Sequence, residues 1–328
     1  MPQPSINPSV PAAPAFAIAV PRPLIDSAAD TVRGIALAAL AYLVLTMGDV
    51  AAKWALPTAG VGGIMLWRGV FGATTALLVA ASRRAPLPAA TPSHRGGWRR
   101  ILPVRWRLVL ARSVLAAFVS IAWYSSWRVM LLADTYAVGF TAPLLMTVLA
   151  VPLLGERLRW RRVLSTVLGF SGVLVMLRPG GLPWTPALAL LLAGVTGMAL
   201  TRIMTRQLSA TETPECQAFW QLLAHGMAGL AMLQVLPGAG WFGPAVWAAL
   251  AFLGVSSGLA HCVFARAYAL APVSALAPYE YSMLLWGSLA GFVVFREVPG
   301  WGTLAGAAIV AAAGLYNLHR ERVRATAR

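Results

Sequence analysis

Glu156-Arg-Leu-Arg-Trp160 and Glu297-Val-Pro-Gly-Trp301 each close a long apolar stretch of this chain. Each is followed by an apolar span rich in small residues, and the Glu and the Trp keep the same spacing in both. The repeat indicates that one helical unit occurs twice. If each copy has an odd number of membrane spans, the second copy enters the bilayer upside down.

The composition is that of an integral membrane protein. The 328-residue chain is 59% hydrophobic and only 11% charged, whereas soluble domains carry about 25% charged residues. Its mean hydropathy is +0.72. Apolar runs of about 20 residues, enough to cross the hydrocarbon core, recur along nearly the whole length. We therefore expect an all-α membrane fold, with no room for a separate soluble domain.

The hydropathy pattern predicts ten transmembrane helices and their orientation. They lie at about 33–55, 60–82, 108–132, 135–155, 160–178, 184–206, 214–236, 243–270, 273–295 and 300–318. Because basic connections stay in the cytoplasm, the arginine-rich loop 83–107, the Arg157–Arg162 turn and the basic tail belong on the inner side. Both termini are then cytoplasmic.

The two halves divide near Pro179-Gly-Gly181, with an odd number of spans on each side. This predicts two inverted five-helix repeats. We expect a disordered cytoplasmic tail at 1–30, a first repeat at 31–179, a second repeat at 180–319, and a basic cytoplasmic tail at 320–328.

Charge and cysteine usage exclude several kinds of partner. The net charge of +16 does not indicate a nucleic-acid partner, because the arginines lie in the connections between apolar spans rather than on one soluble face. Cys216 and Cys262 lack the spacing of a metal site or a disulfide framework. We expect both to be buried apolar side chains, and we predict no metal and no cofactor.

Ionisable side chains inside the apolar spans are the first candidate functional residues, since at membrane depth they must face a partner or a water-filled cavity. Asp49 and Lys53 lie on one face of the first span. They fit either a substrate-facing or proton-coupled pair or a structural ion pair. Arg68, well inside the second span, fits either a binding or gating group or the structural partner of an acid.

Glu280 stands out because Pro278 breaks its span, and a proline in a membrane helix frees backbone carbonyls beside a cavity. Its carboxyl fits either a group that binds a cation or a coupling proton, or a buried neutral acid. Arg112 lies close enough to the cytoplasmic interface to reach the headgroups. His225 and His261 fit hydrogen-bonded interior side chains better than a proton relay.

Aromatic and small residues mark two further features. Trp123, Tyr279 and Tyr281 lie deep in their spans, and we predict that they line a substrate pocket, with packing or an interface belt as the alternative. Small residues are dense at Gly169–Gly172 and Gly302–Gly314. We assign them to close helix packing, with a homodimer face as the alternative.

These motifs resemble the drug/metabolite transporter superfamily in its two-repeat EamA form. The chain carries Ala142-Pro143-Leu-Leu, Leu153-Leu-Gly-Glu156-Arg157 and Gly169-Phe-Ser-Gly172, then Ala275-Leu-Ala-Pro-Tyr-Glu-Tyr281 and Phe295-Arg-Glu297. The last of these departs from the usual Leu-Gly-Glu. The resemblance covers about 33–320. It implies ten helices, cytoplasmic termini and alternating access between inverted halves, with Pro143 and Pro278 as helix-breaking prolines. The Ala-Pro-Tyr-Glu-Tyr variant is similar to a subgroup that includes S-adenosylmethionine and riboflavin carriers.

The residues and the resemblance together predict a secondary transporter, not an enzyme, that moves a small organic metabolite across the lipid bilayer of the inner membrane. Coupling to a proton or to exchange is a hypothesis that rests on Glu280 and Asp49. The alternatives are a non-transporting assembly or sensor protein and an integral-membrane enzyme. The largest loop holds arginines and His94 but no acid, which argues against a lipid-modifying enzyme.

Overall fold

The computed structural model of the protein describes residues 28–83, 97–139, 184–235, 242–271 and 282–309, with scattered positions between 141 and 175 and at 276, 279, 311 and 312. Several predicted features lie outside the described residues. They are residues 1–27 of the predicted N-terminal tail, the basic tail 320–328, the two helix-breaking prolines Pro143 and Pro278, the first repeat's Glu156 and Trp160, and the candidate site residues Glu280 and Tyr281.

The described residues form helices and connections, with no strand among them. The helices are α1 (Ala28–Ser82), a 3-10 helix (Gly97–Ile101), α2 (Trp106–Ser126), α3 (Leu132–Gly139), α4 (Pro186–Leu208), α5 (Pro214–Val235), α6 (Pro244–Leu270), α7 (Ser282–Phe295) and α8 (301–309). The all-α prediction is confirmed for this part of the chain. The count of ten stays a prediction.

Helix α1 consists of two helical segments separated by a kink at Gly60, which agrees with the two predicted spans and their connection at 56–60. Gly60 has φ 65° and ψ 171°, a conformation that glycine adopts with little steric cost. Pro57 lacks the N–H that would bond the carbonyl of Lys53, which weakens the helix just before the kink. Helix α1 also begins at Ala28, inside the predicted tail, so that boundary is wrong by a few residues.

Two other boundaries differ because hydropathy does not detect turns within an apolar run. Helix α2 ends at Ser126, six residues before the predicted end of its span, although Val129-Met-Leu-Leu132 continues the apolar run. The N–H of Val129 donates to the carbonyl of Ser126 at 3.1 Å, which closes a turn. Helix α3 then begins at Leu132, before its predicted start.

Polar groups at the helix starts fix where α4 and α5 begin. The Thr185 hydroxyl accepts the N–H of Leu188 at 3.2 Å, and Pro186 occupies the first helical turn. The Thr213 hydroxyl accepts the N–H of Cys216 at 3.0 Å. It also donates to the carbonyl of Arg100 at 2.7 Å, which attaches the basic segment after 97 to the start of α5.

Acidic side chains anchor that basic segment further. Glu215 pairs with Arg100 at 3.4 Å and with Arg83 at 3.1 Å. The Glu212 carboxylate accepts the backbone N–H groups of Val104 at 3.0 Å and Arg105 at 2.6 Å. The described ends of the arginine-rich connection, Arg83 and 97–105, are therefore held against one end of the helix bundle by acids that lie far away in the sequence.

The bundle is apolar outside and partly polar inside. Large apolar side chains are exposed on most helices, among them Leu40, Val70, Phe118, Leu230, Phe252 and Phe292. Charged and polar side chains are buried, among them Asp49, Arg68, Arg112 and His225. Four segments of the described part are long and apolar enough to cross a membrane. A bundle with this polarity is stable only if lipid covers its outer surface.

Glycines let α1 and α5 approach closely. A methyl group added at Gly69 would overlap the backbone of Gly226, and one added at Gly229 would overlap the backbone of Leu66. Membrane helices gain van der Waals contact when small residues bring their backbones together. The second half of α1 is therefore positioned by glycines, and this placement carries Arg68 into the bundle.

We expect Gly69→Ala to destabilise the protein, because the overlap at this position involves backbone atoms that cannot rotate away. Forced overpacking costs about 1–3 kcal/mol. The apparent melting temperature of the protein in detergent, followed by the fraction that stays monodisperse, should fall by several degrees.

Gly243→Ala is the matched control, because no atom lies within 4 Å of a Cβ built there. Its melting temperature should stay close to that of the unmodified chain. Equal effects of the two substitutions would show that the α1–α5 contact is not tight.

Candidate functional site

A cavity of about 100 Å³ lies inside the bundle, between helices from both halves of the sequence. Helices α1, α2, α3, α4, α5, α6 and α7 all contribute to its wall. The polar and aromatic members of the lining are Asp49, Arg68, Ser120, Trp123, Tyr124, Tyr136, Thr201, Arg202, Gln221 and His261. Met198 and Met283 supply flexible apolar surface. A concave site with a few convergent polar groups is the usual form of a small-molecule site.

Arg68 is the central cation of the cavity and is held by neutral groups. It is 6% exposed. Its Nε donates to the Ser257 hydroxyl at 3.0 Å, one terminal nitrogen donates to the Tyr124 hydroxyl, and the other contacts His261 Nε2 at 3.3 Å. Because a guanidinium only donates, His261 Nε2 must accept here. The guanidinium is thus fixed in place without an acid among its described partners.

Asp49 is the acid of the cavity and is 7% exposed. One carboxylate oxygen accepts the Tyr136 hydroxyl at 2.9 Å. Among the described residues, neither Asp49 nor Arg68 has an opposite charge within 4.0 Å. The cavity therefore presents a carboxylate and a guanidinium that are each oriented by neutral groups.

A second group of polar side chains contacts His261, one of the hydrogen-bond partners of Arg68. Gln221 contacts His261 Nε2 at 3.3 Å and accepts a hydrogen bond from Arg112 at 2.7 Å. Arg112 also donates to the Thr205 hydroxyl at 2.8 Å and is 5% exposed. The expectation that Arg112 reaches the headgroups is therefore wrong, because polar groups on α4 and α5 satisfy it inside the bundle.

His225 occupies the hydrogen-bonded interior position that the sequence predicts. Its Nδ1 contacts the carbonyl of Gln221 at 2.5 Å, and its Nε2 contacts the Ser120 hydroxyl at 2.7 Å. The side chain is fully buried. Since Ser120 lines the cavity, this histidine fixes one polar group of the wall.

Lys53 and Asp49 do not pair with each other, although the sequence offers that pairing as the structural alternative. Lys53 Nζ lies 2.5 Å from Glu297, and the other carboxylate oxygen of Glu297 accepts the N–H of Leu132 at 3.0 Å. Lys53 also reaches the carbonyl of Met130 at 3.4 Å. This ion pair joins α1, the α2–α3 connection and the end of α7.

The structure places the remaining sequence candidates in different surroundings. Trp123 lines the cavity beside Tyr136, with 6.1 Å between their ring centroids. Tyr279 packs against an apolar cluster that includes Tyr42 and Phe264, and it is not among the residues of the cavity wall.

Sequence reasoning did not place Tyr124, Tyr136, Ser120, Thr201, Arg202 or Gln221 in the wall, and it predicted His261 only as a hydrogen-bonded interior side chain. The first two resemble ordinary membrane aromatics in the sequence. Gln221 and His261 show no spacing to a partner. The usable signal was polarity within an apolar span, which applies to both Gln221 and His261.

Comparison with known proteins identifies the family. Residues 32–178 and 185–317 match the EamA-like transporter family. The chain belongs to this family. The resemblance that the repeated motifs predict is therefore confirmed, and the EamA chain is a multi-pass membrane transporter of small metabolites.

Relatives of the EamA chain include named transporters. It is 27% identical over 213 residues to the S-adenosylmethionine uptake transporter of Rickettsia prowazekii, covering 64% of this chain and 71% of the relative. It is 30% identical over 225 residues to the riboflavin transporter of Rhizobium johnstonii, covering 67% of this chain and 72% of the relative. A protein of known crystal structure has the same fold, with a TM-score of 0.62 at 18% identity over 87% of this chain and 95% of that chain.

We expect the Lys53–Glu297 pair to stabilise the EamA chain measurably. Their side chains are 9% and 16% exposed, and removing one partner of a largely buried pair costs about 3 kcal/mol. Lys53→Met should therefore lower the free energy of unfolding in detergent by about that amount. Adding Glu297→Gln should recover part of the loss, because the isolated carboxylate is then gone.

Arg33→Gln is the control for ion pairs in general. Its pair with Asp30 is 3.7 Å long and its side chain is 75% exposed, so its loss should change stability by under about 1 kcal/mol. Strictly additive effects of Lys53→Met and Glu297→Gln would refute an energetic coupling between the two charges.

Proposed function

We propose that the protein is a secondary transporter that moves a small organic metabolite across the inner membrane by alternating access, with the described cavity as its substrate site. The observation that carries this proposal is the cavity itself. Its wall combines Asp49, Arg68 and three aromatic side chains, Trp123, Tyr124 and Tyr136, and both halves of the sequence supply its surface. Buried charges around a cavity at membrane depth are typical of a solute pathway.

The architecture that we propose is ten helices in two inverted five-helix repeats, 31–179 and 180–319, with both termini in the cytoplasm. The two family matches, 32–178 and 185–317, support a duplicated unit. The arginine-rich loop 83–107 and the basic tail support the orientation. Inverted repeats of this kind place the substrate site between the halves.

In this scheme the Lys53–Glu297 pair closes one end of the pathway. Lys53 belongs to the first half and Glu297 to the second, and the pair also holds Leu132 at the start of α3. When the halves separate on that side, this contact must break. The pair therefore favours the closed arrangement on its side and sets part of the free-energy difference between the two access states.

The relatives suggest which cargo to test first. S-adenosylmethionine and riboflavin both carry flat heteroaromatic rings, and the aromatic wall offers stacking surface for such a ring. We further propose coupling to a proton or to exchange, a hypothesis motivated by Asp49 and Glu280. A homodimer through the small-residue segment 302–314 is the remaining proposal about partners.

Reconstituted transport tests the function directly. Purified protein in liposomes should accumulate at least one of S-adenosylmethionine, riboflavin or an amino acid faster than protein-free liposomes. The same measurement is made with and without a pH gradient and with unlabelled substrate inside. Flux that ignores both conditions would remove the coupling proposal, and no flux of any metabolite in a wider screen would favour an assembly or sensor role.

Glu280→Gln tests the acid that the sequence places in a span predicted to be broken by Pro278. If the carboxyl binds a cation or a coupling proton, the amide should reduce transport strongly while the amount of folded protein stays normal. Unchanged flux would make Glu280 a structural residue.

Reporter fusions test the inverted arrangement. A fusion after Glu156 should report the cytoplasm, and a fusion after Glu297 should report the opposite side, because an odd number of spans separates the two repeats' equivalent positions. A fusion after Arg328 serves as the cytoplasmic reference. The same location for Glu156 and Glu297 would rule out inverted repeats.

A further inference from the structure

We propose that the cavity binds the zwitterionic head group of an α-amino acid or of a metabolite that carries one, with the ligand carboxylate at Arg68 and the ligand ammonium at Asp49. This inference rests on the proposed function and narrows its cargo to one chemical class. It comes from the charge pattern of the wall and from the way each charge is held.

The surroundings of Arg68 suit an anionic ligand group. Its described partners, Ser257, Tyr124 and His261, are neutral and fix the guanidinium in one orientation. A guanidinium has five N–H donors, and these contacts engage one hydrogen on each nitrogen. Each terminal nitrogen therefore keeps one further N–H, and two such donors on one guanidinium can bind a carboxylate. A buried cation without an acid beside it gains most from a ligand that brings the negative charge.

The surroundings of Asp49 suit a cationic ligand group. The Tyr136 hydroxyl holds one carboxylate oxygen at 2.9 Å, and the described residues place no basic group within 4.0 Å of it. The nearest lysine along its own helix, Lys53, is engaged by Glu297. Asp49 lines the cavity, and its second oxygen has no hydrogen-bond donor among the described residues, so it can accept from an ammonium group.

The two charges lie on opposite sides of the kink in α1, and both face the same cavity. Different hydroxyls contact them: the Tyr136 hydroxyl of α3 donates to Asp49, and the Tyr124 hydroxyl of α2 accepts from Arg68. A neutral ligand would displace water from Asp49 and Arg68 without replacing the hydrogen bonds that the water made to them, and this loss opposes binding. A zwitterion supplies both missing partners at once.

The rest of the wall indicates where the remainder of the ligand lies. Trp123 offers an aromatic face, and Met198 and Met283 offer adaptable apolar surface. Arg202 also lines the cavity, with its guanidinium 4.2 Å from the centroid of the Phe264 ring. This second cation adds to the positive potential that attracts a carboxylate. The wall therefore tolerates different side groups and is selective for the charged head group.

The test pairs ligand changes with protein changes. Binding to the full chain in detergent is measured for S-adenosylmethionine, its decarboxylated form, L-methionine and riboflavin. At least one of the two zwitterions should bind, and the decarboxylated form should bind at least about tenfold more weakly than S-adenosylmethionine, since a charge-assisted contact is lost.

Arg68→Gln should weaken S-adenosylmethionine binding at least about tenfold but leave the decarboxylated form almost unchanged. Asp49→Asn should weaken both, because both keep the ammonium. Arg68→Lys, which retains a positive charge, covers the case in which Arg68→Gln does not fold. Arg206→Gln is the matched control, because Arg206 donates to the carbonyl of Tyr268 at 2.7 Å and lies outside the cavity wall.

The outcomes separate this inference from the proposed function. If riboflavin binds and is transported while neither zwitterion binds, the zwitterion site is refuted and the transporter proposal stands. Equal losses for S-adenosylmethionine and its decarboxylated form in Arg68→Gln would also refute the assignment of the carboxylate to Arg68. If the zwitterions bind but no metabolite crosses the membrane, the transporter proposal fails instead.

Discussion

Burial of Arg68 inside a bundle with an apolar exterior is the constraint on which the cavity depends. A guanidinium at membrane depth is stable only where other groups complete its hydrogen bonds. Tyr124 on α2 and Ser257 and His261 on α6 do so. The cation thereby links three helices of different origin in the sequence. Because these partners are neutral, they do not cancel the positive charge of Arg68, which therefore acts on the cavity.

Close helix approach makes this arrangement possible. Gly69 follows Arg68 directly and contacts the backbone region of Gly226, so α1 and α5 meet at the depth of the cation. On the next face, Gly72 and Gly258 bring α1 and α6 together. The hydrogen-bond partners of Arg68 on α6 come within reach only because no side chain separates these helices. The hydrogen bonding of Arg68 therefore depends on the close packing of these helices.

Helix α1 carries two polar centres with different surroundings. Lys53 is neutralised by Glu297 at 2.5 Å and ties the two halves of the sequence together. Asp49 and Arg68 have no opposite charge within 4.0 Å among the described residues, and both line the cavity. An ion pair stabilises the conformation of the bundle in which it forms. A buried charge without a nearby opposite charge is instead stabilised when a ligand of opposite charge binds. On the same helix, Lys53 therefore stabilises one conformation of the bundle, whereas Asp49 and Arg68 face the cavity in which a ligand would bind.

The sequence by itself determined the membrane setting, the helical class and the family, since apolar length, charge scarcity and the repeated Glu–Trp motifs are local properties that need no partner. It also marked Asp49, Arg68 and Trp123, because polar or bulky groups deep in apolar spans are conspicuous. It did not reveal Tyr124 or Tyr136 as wall residues, because aromatic residues have several roles in membrane helices. Only the tertiary structure decided that Lys53 pairs with Glu297 and that Asp49 accepts from Tyr136. Those choices depend on helix rotation and on approach distances set by glycines, and sequence spacing does not encode either.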